Sequence, residues 1–209
     1  MRNVQLGILV AAALAALLPV SPAARADGLV FEFQSVISAS AGSTGNVFDV
    51  LLENTGPSVI NVAAFAYEIT TSDTDISFTG ADTSTTAPYI YAGDSFVDIN
   101  GFTLYTGSLG GQTLEASDLS NSGVDDNLGS GASVGVGRIF FDVAPGAATG
   151  PFAVNFVAYP FTSLANSNAN NLDFTVDVGT ITITNAAAVP EPAEGELVIC
   201  GLAMADSPS

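Results

Sequence analysis

Neither histidine nor lysine occurs anywhere in the 209 residues. Their absence removes the Ser-His-Asp and Cys-His triads, the Ser-Lys dyad, Schiff-base chemistry and every imidazole metal ligand. What remains is 21 carboxylates, the hydroxyls, five tyrosines, one cysteine and three arginines. Two carboxylates can still run glycoside hydrolysis, one protonating the leaving oxygen and the other acting as nucleophile or base about 5–9.5 Å away. Asp173 and Asp177 share one face of an alternating stretch, but four strand residues separate them by ~13 Å, too far for that work. They read as solvated strand-face acids, and no catalytic residue is assigned.

Acid-rich turns can instead hold calcium, a hard cation that takes several oxygen ligands. Asp73-Thr74-Asp75 and Asp125-Asp126-Asn127, with Asp118 nearby, are the candidates. Neither carries the internal glycine and closing glutamate of a helix-loop-helix calcium loop, so solubilising loop charge is the competing reading. Calcium apart, no cofactor is implied. Exposed aromatic rings could stack on sugars: Tyr89, Tyr91 and Phe96 flank a Pro88/Gly93 turn, and Tyr105 and Tyr159 lie near strand ends. The chain has no tryptophan, so core packing competes with a sugar platform at each of these positions. Arg138 shares a strand face with Asp142 and is expected to pair with an acid of a neighbouring strand. Cys200 has no histidine to activate it and reads as a small apolar residue.

These groups must be positioned by strands. From Leu29 to Thr184 apolar and polar residues alternate in short runs divided by Gly, Ser, Thr, Asn and Asp, the pattern of strands with one buried face. Leu29/Phe31/Phe33, Phe48/Val50/Leu52, Phe65/Tyr67/Ile69, Leu172/Phe174/Val176/Val178 and Ile181/Ile183 supply the buried sides. Further strands are expected at Phe96–Ile99, Phe102–Thr106, Val134–Val143 and Phe152–Tyr159, giving about nine. No stretch shows a sustained helical period. The expected fold is an all-β antiparallel sandwich of jelly-roll type. The Gly/Ser/Asn/Asp-rich stretch from Gly107 to Gly131 reads as a long irregular insertion, a common place for function.

The N-terminus reads as an export signal. Arg2 precedes an apolar run from Leu6 to Leu18, Pro19 and Pro22 break it, and Ala24-Arg25-Ala26 is a small-x-small cleavage site. Three segments follow: signal peptide 1–26, sandwich domain 27–185, and linker with tail 186–209. Cleavage removes Arg2 and Arg25 but no acid, taking the formal charge from −18 to −20. Such a surface repels phosphate backbones and anionic membranes, which excludes nucleic acid as a partner. The single cysteine, in the tail, leaves the domain without a disulfide.

After Thr184 the chain reads Asn-Ala-Ala-Ala and then Val189-Pro190-Glu191-Pro192-Ala193. An export signal, a β domain and this motif together resemble the PEP-CTERM family of bacterial exported proteins. The resemblance implies a sorting tail cleaved by an exosortase, and a setting in extracellular polysaccharide matrix, biofilm or floc. The tail departs from the family pattern. Glu194 and Glu196 stand where the apolar helix should begin, and no arginine follows Ala205. Leu197 to Ala205 would reach only ~14 Å as a helix, about half a bilayer core, so no stable span is expected of the mature chain.

The domain itself is similar to the cohesin and carbohydrate-binding-module group of sandwiches. The matching stretches are Phe65-Ala66-Tyr67-Glu68-Ile69, Gly137 to Val143 followed by Pro145 to Gly150, and Val178 to Ile183. The expected function is a non-catalytic surface or matrix protein binding protein or polysaccharide, extracellular or at the surface of a bacterium, with the periplasm also open. The alternatives are an exported glycan hydrolase with paired carboxylates, or a cohesin-type scaffold binding a dockerin.

Overall fold

A computed structural model describes residues 28–82, 88–99 and 111–185. The leader, the strand expected at Phe102–Thr106 with Tyr105, the Pro-Glu-Pro motif and Cys200 lie outside the described residues. The elements run β1 (Leu29–Phe33), β2 (Ile37–Ser40), β3 (Asn46–Asn54), β4 (Ile60–Val62) and β5 (Ala64–Thr71). They continue with β6 (Ile76–Asp82), a single helical turn α1 (Phe96–Ile99), β7 (Thr113–Leu119) and β8 (Asp126–Leu128). The last are β9 (Ser133–Val143), β10 (Gly150–Phe156), β11 (Ser163–Ala165), β12 (Phe174–Val176) and β13 (Gly179–Thr184).

Two sheets stack face to face. Sheet A has the order β12-β1-β3-β9-β6, sheet B the order β11-β5-β10-β13-β2 with β7 on the other edge of β5, and β4-β8 forms a small ribbon. Alternation explains the stacking: Phe31, Phe48, Val50, Leu52, Ile139 and Phe141 line the inner side of sheet A. Phe65, Tyr67, Ile69, Val154, Ile181 and Ile183 line that of sheet B. Phe31 joins the layers, its ring 6.2 Å from Tyr67 and 5.5 Å from Phe156 between centroids. In β9 the alternation slips at a bulge, where Val50 and Leu51 face Gly137 and Gly135. Val136 is the extra residue there, and its burial keeps Ile139 and Phe141 pointing inward.

The all-β sandwich is as expected, with four differences from the sequence pattern. Thirteen strands rather than nine are formed among the described residues, in part because the short strands β2, β4, β8 and β11 are too brief to alternate visibly. Phe96–Ile99 is a helical turn, not a strand: Ile99 N donates to Ser95 O at 3.1 Å and Val97 N to the Asp118 carboxylate at 3.2 Å, which uses the amides a strand would need. Gly107–Gly131 is not an irregular insertion, since β7 and β8 lie within it.

Nor is every pairing antiparallel. β1 pairs β12 in parallel, and so does β2 with β13. The chain steps from sheet A to sheet B between Phe33 and Ile37 and again between Val176 and Gly179. Both steps run in the same direction, so the first and last ribbons of the domain lie side by side and must pair in parallel. Gly179 sits at this crossing. A Cβ there would fall 2.6 Å from Phe33 Cδ2 and 2.7 Å from its Cγ. The Phe33 ring cannot withdraw, because it is stacked on Phe156 at 4.4 Å. Gly179→Ala is therefore expected to cost about 1–3 kcal/mol of stability through overpacking, seen as a lower midpoint in urea. An unchanged midpoint would show that the crossing has slack.

Candidate functional site

The two outer faces of the sandwich differ in charge. On sheet A, Glu32, Asp49, Glu53, Asp82, Asp142 and Arg138 point outward. Arg138 lies directly opposite Asp49 in β3 and Asp82 in β6. Its Nε donates to Asp49 Oδ1 at 2.7 Å and a terminal nitrogen to Oδ2 at 3.0 Å, a forked pair. The hydrogen bond to Asp49 raises the guanidinium further above its ordinary value. The expected cross-strand pair is thus formed, with Asp49 as partner, while Asp142 accepts from Gly45 N at 2.7 Å.

On sheet B the outward side chains are small and mostly uncharged: Ala64, Ala66 and Thr70 of β5, Ser117 of β7, Ala153 and Asn155 of β10. Register adds one acidic pair. Glu68 of β5 lies directly opposite Glu115 of β7. Glu68 is 9% exposed, and its carboxyl is pushed above its ordinary value of 4.5 by burial first, then by the charge of Glu115 and a hydrogen bond to it. The folded chain holds the Glu68 proton more tightly than the unfolded chain. Stability therefore falls as pH rises from 4.5 through the raised value. Glu68→Gln is expected to raise the Tm near pH ~7 and to leave it unchanged below pH ~4. A shift of equal size at both ends of that range would contradict proton sharing.

Three of the other acids singled out from sequence, Asp118, Asp73 and Asp125, hold loops in place. Asp118 points inward from β7 and is buried; it accepts from Tyr89 Oη at 2.8 Å, Ser95 Oγ at 2.5 Å, Val97 N at 3.2 Å and Leu119 N at 2.8 Å. It ties the 88–99 segment to sheet B. Asp73 closes a turn by accepting Asp75 N at 2.7 Å. Asp125 accepts Ser167 N at 2.6 Å and Ser167 Oγ at 2.8 Å. Asp126 lies in β8, raised by burial and then by Asp94. Asp94 in turn is lowered by hydrogen bonds from Ser120 and Ser122. Among the described residues no group of three or more carboxylates or thiols is arranged to hold a metal ion.

Of the aromatic set, Tyr89 and Tyr91 are core residues rather than turn-flanking surface rings, at 7% and 1% exposure. Tyr91 is stacked on Phe65 at 5.9 Å. Tyr159 is 69% exposed. It borders a groove of about 640 Å³ together with Leu164, Leu172, Asp173, Phe174 and Val176. A second recess of about 320 Å³ is lined by Gly28, Leu29, Ile60 and the same stretch from Leu172 to Thr175. The Leu172–Val178 alternation, expected to bury one face, instead marks this open edge: only Phe174–Val176 is strand, and Val178 is 66% exposed. Among the described residues β12 pairs with β1 alone.

Comparison with solved structures places this architecture. A cohesin from Clostridium acetobutylicum, CaCohA2, superposes with a TM-score of 0.56 at 12% identity, covering 77% of this chain and 94% of that one. The sixth cohesin of Acetivibrio cellulolyticus scaffoldin B, solved with a Cel5 dockerin, gives 0.55 at 14% identity over 75% and 99%. The cohesin–dockerin complex Coh-OlpA-Doc918 of Clostridium thermocellum gives 0.54 at 11% identity over 75% and 99%. The fold is cohesin-like. No protein-family model matches the chain, and no curated protein matches it in sequence.

Within this cohesin-like sandwich the sequence-level candidates divide cleanly. Asp73, Asp75, Asp125 and Asp126 stay in loops or the small ribbon, Asp118 turns inward, and Tyr159 alone of the described tyrosines stands out into solvent. The Glu68–Glu115 pair and the β12 groove have no local signal, because each is made by strand register between distant segments. No helix among the described residues is long and apolar enough to cross a membrane.

Proposed function

We propose that this protein is a non-catalytic, exported binding module that holds a protein partner against the outer face of sheet B. The observation that carries this reading is the charge contrast between the faces. In a chain with 21 acids, the β5/β7/β10 surface presents alanine, serine, threonine and asparagine side chains around the single Glu68–Glu115 pair, while the outer face of sheet A carries five carboxylates. Interface centres are depleted in charge, because burying unpaired carboxylates costs desolvation, and small side chains lose little entropy when covered. The likeness to cohesins solved with dockerins supports a dockerin-type partner. The leader and the Val189-Pro190-Glu191-Pro192 motif support a cell-surface or matrix location, with exosortase and matrix polysaccharide as further partners in that setting. Immobilised protein should retain at least one member of a panel of dockerin-bearing proteins and release no reducing sugar from glycans. Failure to retain any of the panel, or measurable glycan cleavage, would count against the reading.

A further inference from the structure

The open side of the sandwich beside β12 carries core-facing apolar groups that the described residues leave uncovered. Phe174 and Val176 point to the same side of the strand. Phe174 packs edge-on against Phe31 with ring centroids 5.4 Å apart, yet Val176 is 42% exposed. Across the groove stand Tyr159 and Leu164. Among the described residues β12 also ends sheet A, so one row of its backbone N–H and C=O groups points away from β1, where a further strand would pair.

We propose that this groove binds an extended, cation-bearing peptide segment of a partner protein, which adds to sheet A as a strand beside β12. Its volume of about 640 Å³ lies within the range of ligand-binding clefts. Charge selects the occupant. Asp173 lines both recesses, and Asp173 and Asp177 bracket the three-residue strand. A second copy of this chain pairing edge to edge would bring the same acids together, which is unfavourable. A strand bearing lysine or arginine at its ends meets them with opposite charge, and the acidic surface steers it in. The groove uses none of the sheet B side chains named above, so it is a separate site from the proposed partner face.

The test uses a fluorescein-labelled peptide of alternating valine and lysine, with a valine–glutamate peptide and a backbone N-methylated valine–lysine peptide as controls, read by fluorescence anisotropy on the purified protein. Saturable binding of the first is expected, about tenfold or more weaker for both controls. Val176→Lys and Tyr159→Ala change exposed side chains and should keep the Tm while weakening binding about tenfold or more. Ala153→Arg, on the sheet B face, should leave peptide binding unchanged. Absence of binding, equal binding of the glutamate peptide, or indifference to both groove variants would overturn the proposal. So would self-association abolished by Val176→Lys, which assigns the groove to a second copy, or glycan binding lost in Tyr159→Ala without peptide binding, which assigns it to a sugar.

Discussion

Asp118→Ala is expected to lower the unfolding free energy by about 3 kcal/mol, because several buried donors lose their acceptor at once and each orphaned group costs about 1–3 kcal/mol. Tyr89 Oη, Ser95 Oγ and Val97 N all converge on this carboxylate. Burial first, and the charge of Asp118 second, hold the Tyr89 phenol well above its ordinary value, so it remains a donor. The loss should be accompanied by faster proteolysis within 88–99, since that segment reaches β7 through Asp118. Asp118→Asn keeps one acceptor oxygen and should lie between the two. Thermal unfolding followed by circular dichroism measures the series; an Asp118→Ala loss below about 1 kcal/mol would mean that water replaces the carboxylate.

Phe31→Ala should cost more, about 3–5 kcal/mol, the range for removing a fully buried aromatic ring. Phe31 is 0% exposed and meets Tyr67, Phe156 and Phe174, so its removal separates the two sheets at their centre. Phe174→Ala, at the open edge, should cost far less because its ring is only half covered. A urea series on both variants reads the ratio. Equal losses would mean that the β12 edge is as well packed as the centre.

The legible part of this fold is the part where bulk and alternation coincide. β1, β3, β5 and β13 carry Phe, Tyr, Leu, Ile or Val at alternate inward positions, β9 does so on either side of its bulge, and burial of those side chains selects the register. β7 was hidden because its inward side chains are Leu114, Ala116 and Asp118: a small residue and a buried carboxylate read as loop polarity, although the carboxylate is what anchors the neighbouring segment. β6 was hidden by the irregularity between Phe78 and Gly80, which breaks its period. Leu172–Val178 misleads in the opposite sense, since its regular alternation belongs to a sheet edge where Val176 and Val178 stay exposed. Parallel pairing of β1 with β12 and β2 with β13 depends on two chain crossings more than a hundred residues apart, which no local pattern encodes. The same holds for sites. Tyr159 stood out as a strand-end aromatic, whereas Glu68 and Glu115 become a pair only once β5 and β7 are aligned.

The charge contrast between the faces is the basis of the functional reading, and calorimetric titration of the protein with a retained dockerin tests it most directly. Ala153 is exposed on β10 opposite Thr180 of β13, so Ala153→Arg adds bulk and charge to the sheet B face without touching the core. The reading predicts a saturable one-to-one complex for the parent chain and about tenfold or greater weakening in Ala153→Arg at unchanged Tm. Undiminished affinity in that variant, with loss of binding instead on replacing acids of the sheet A face, would contradict it.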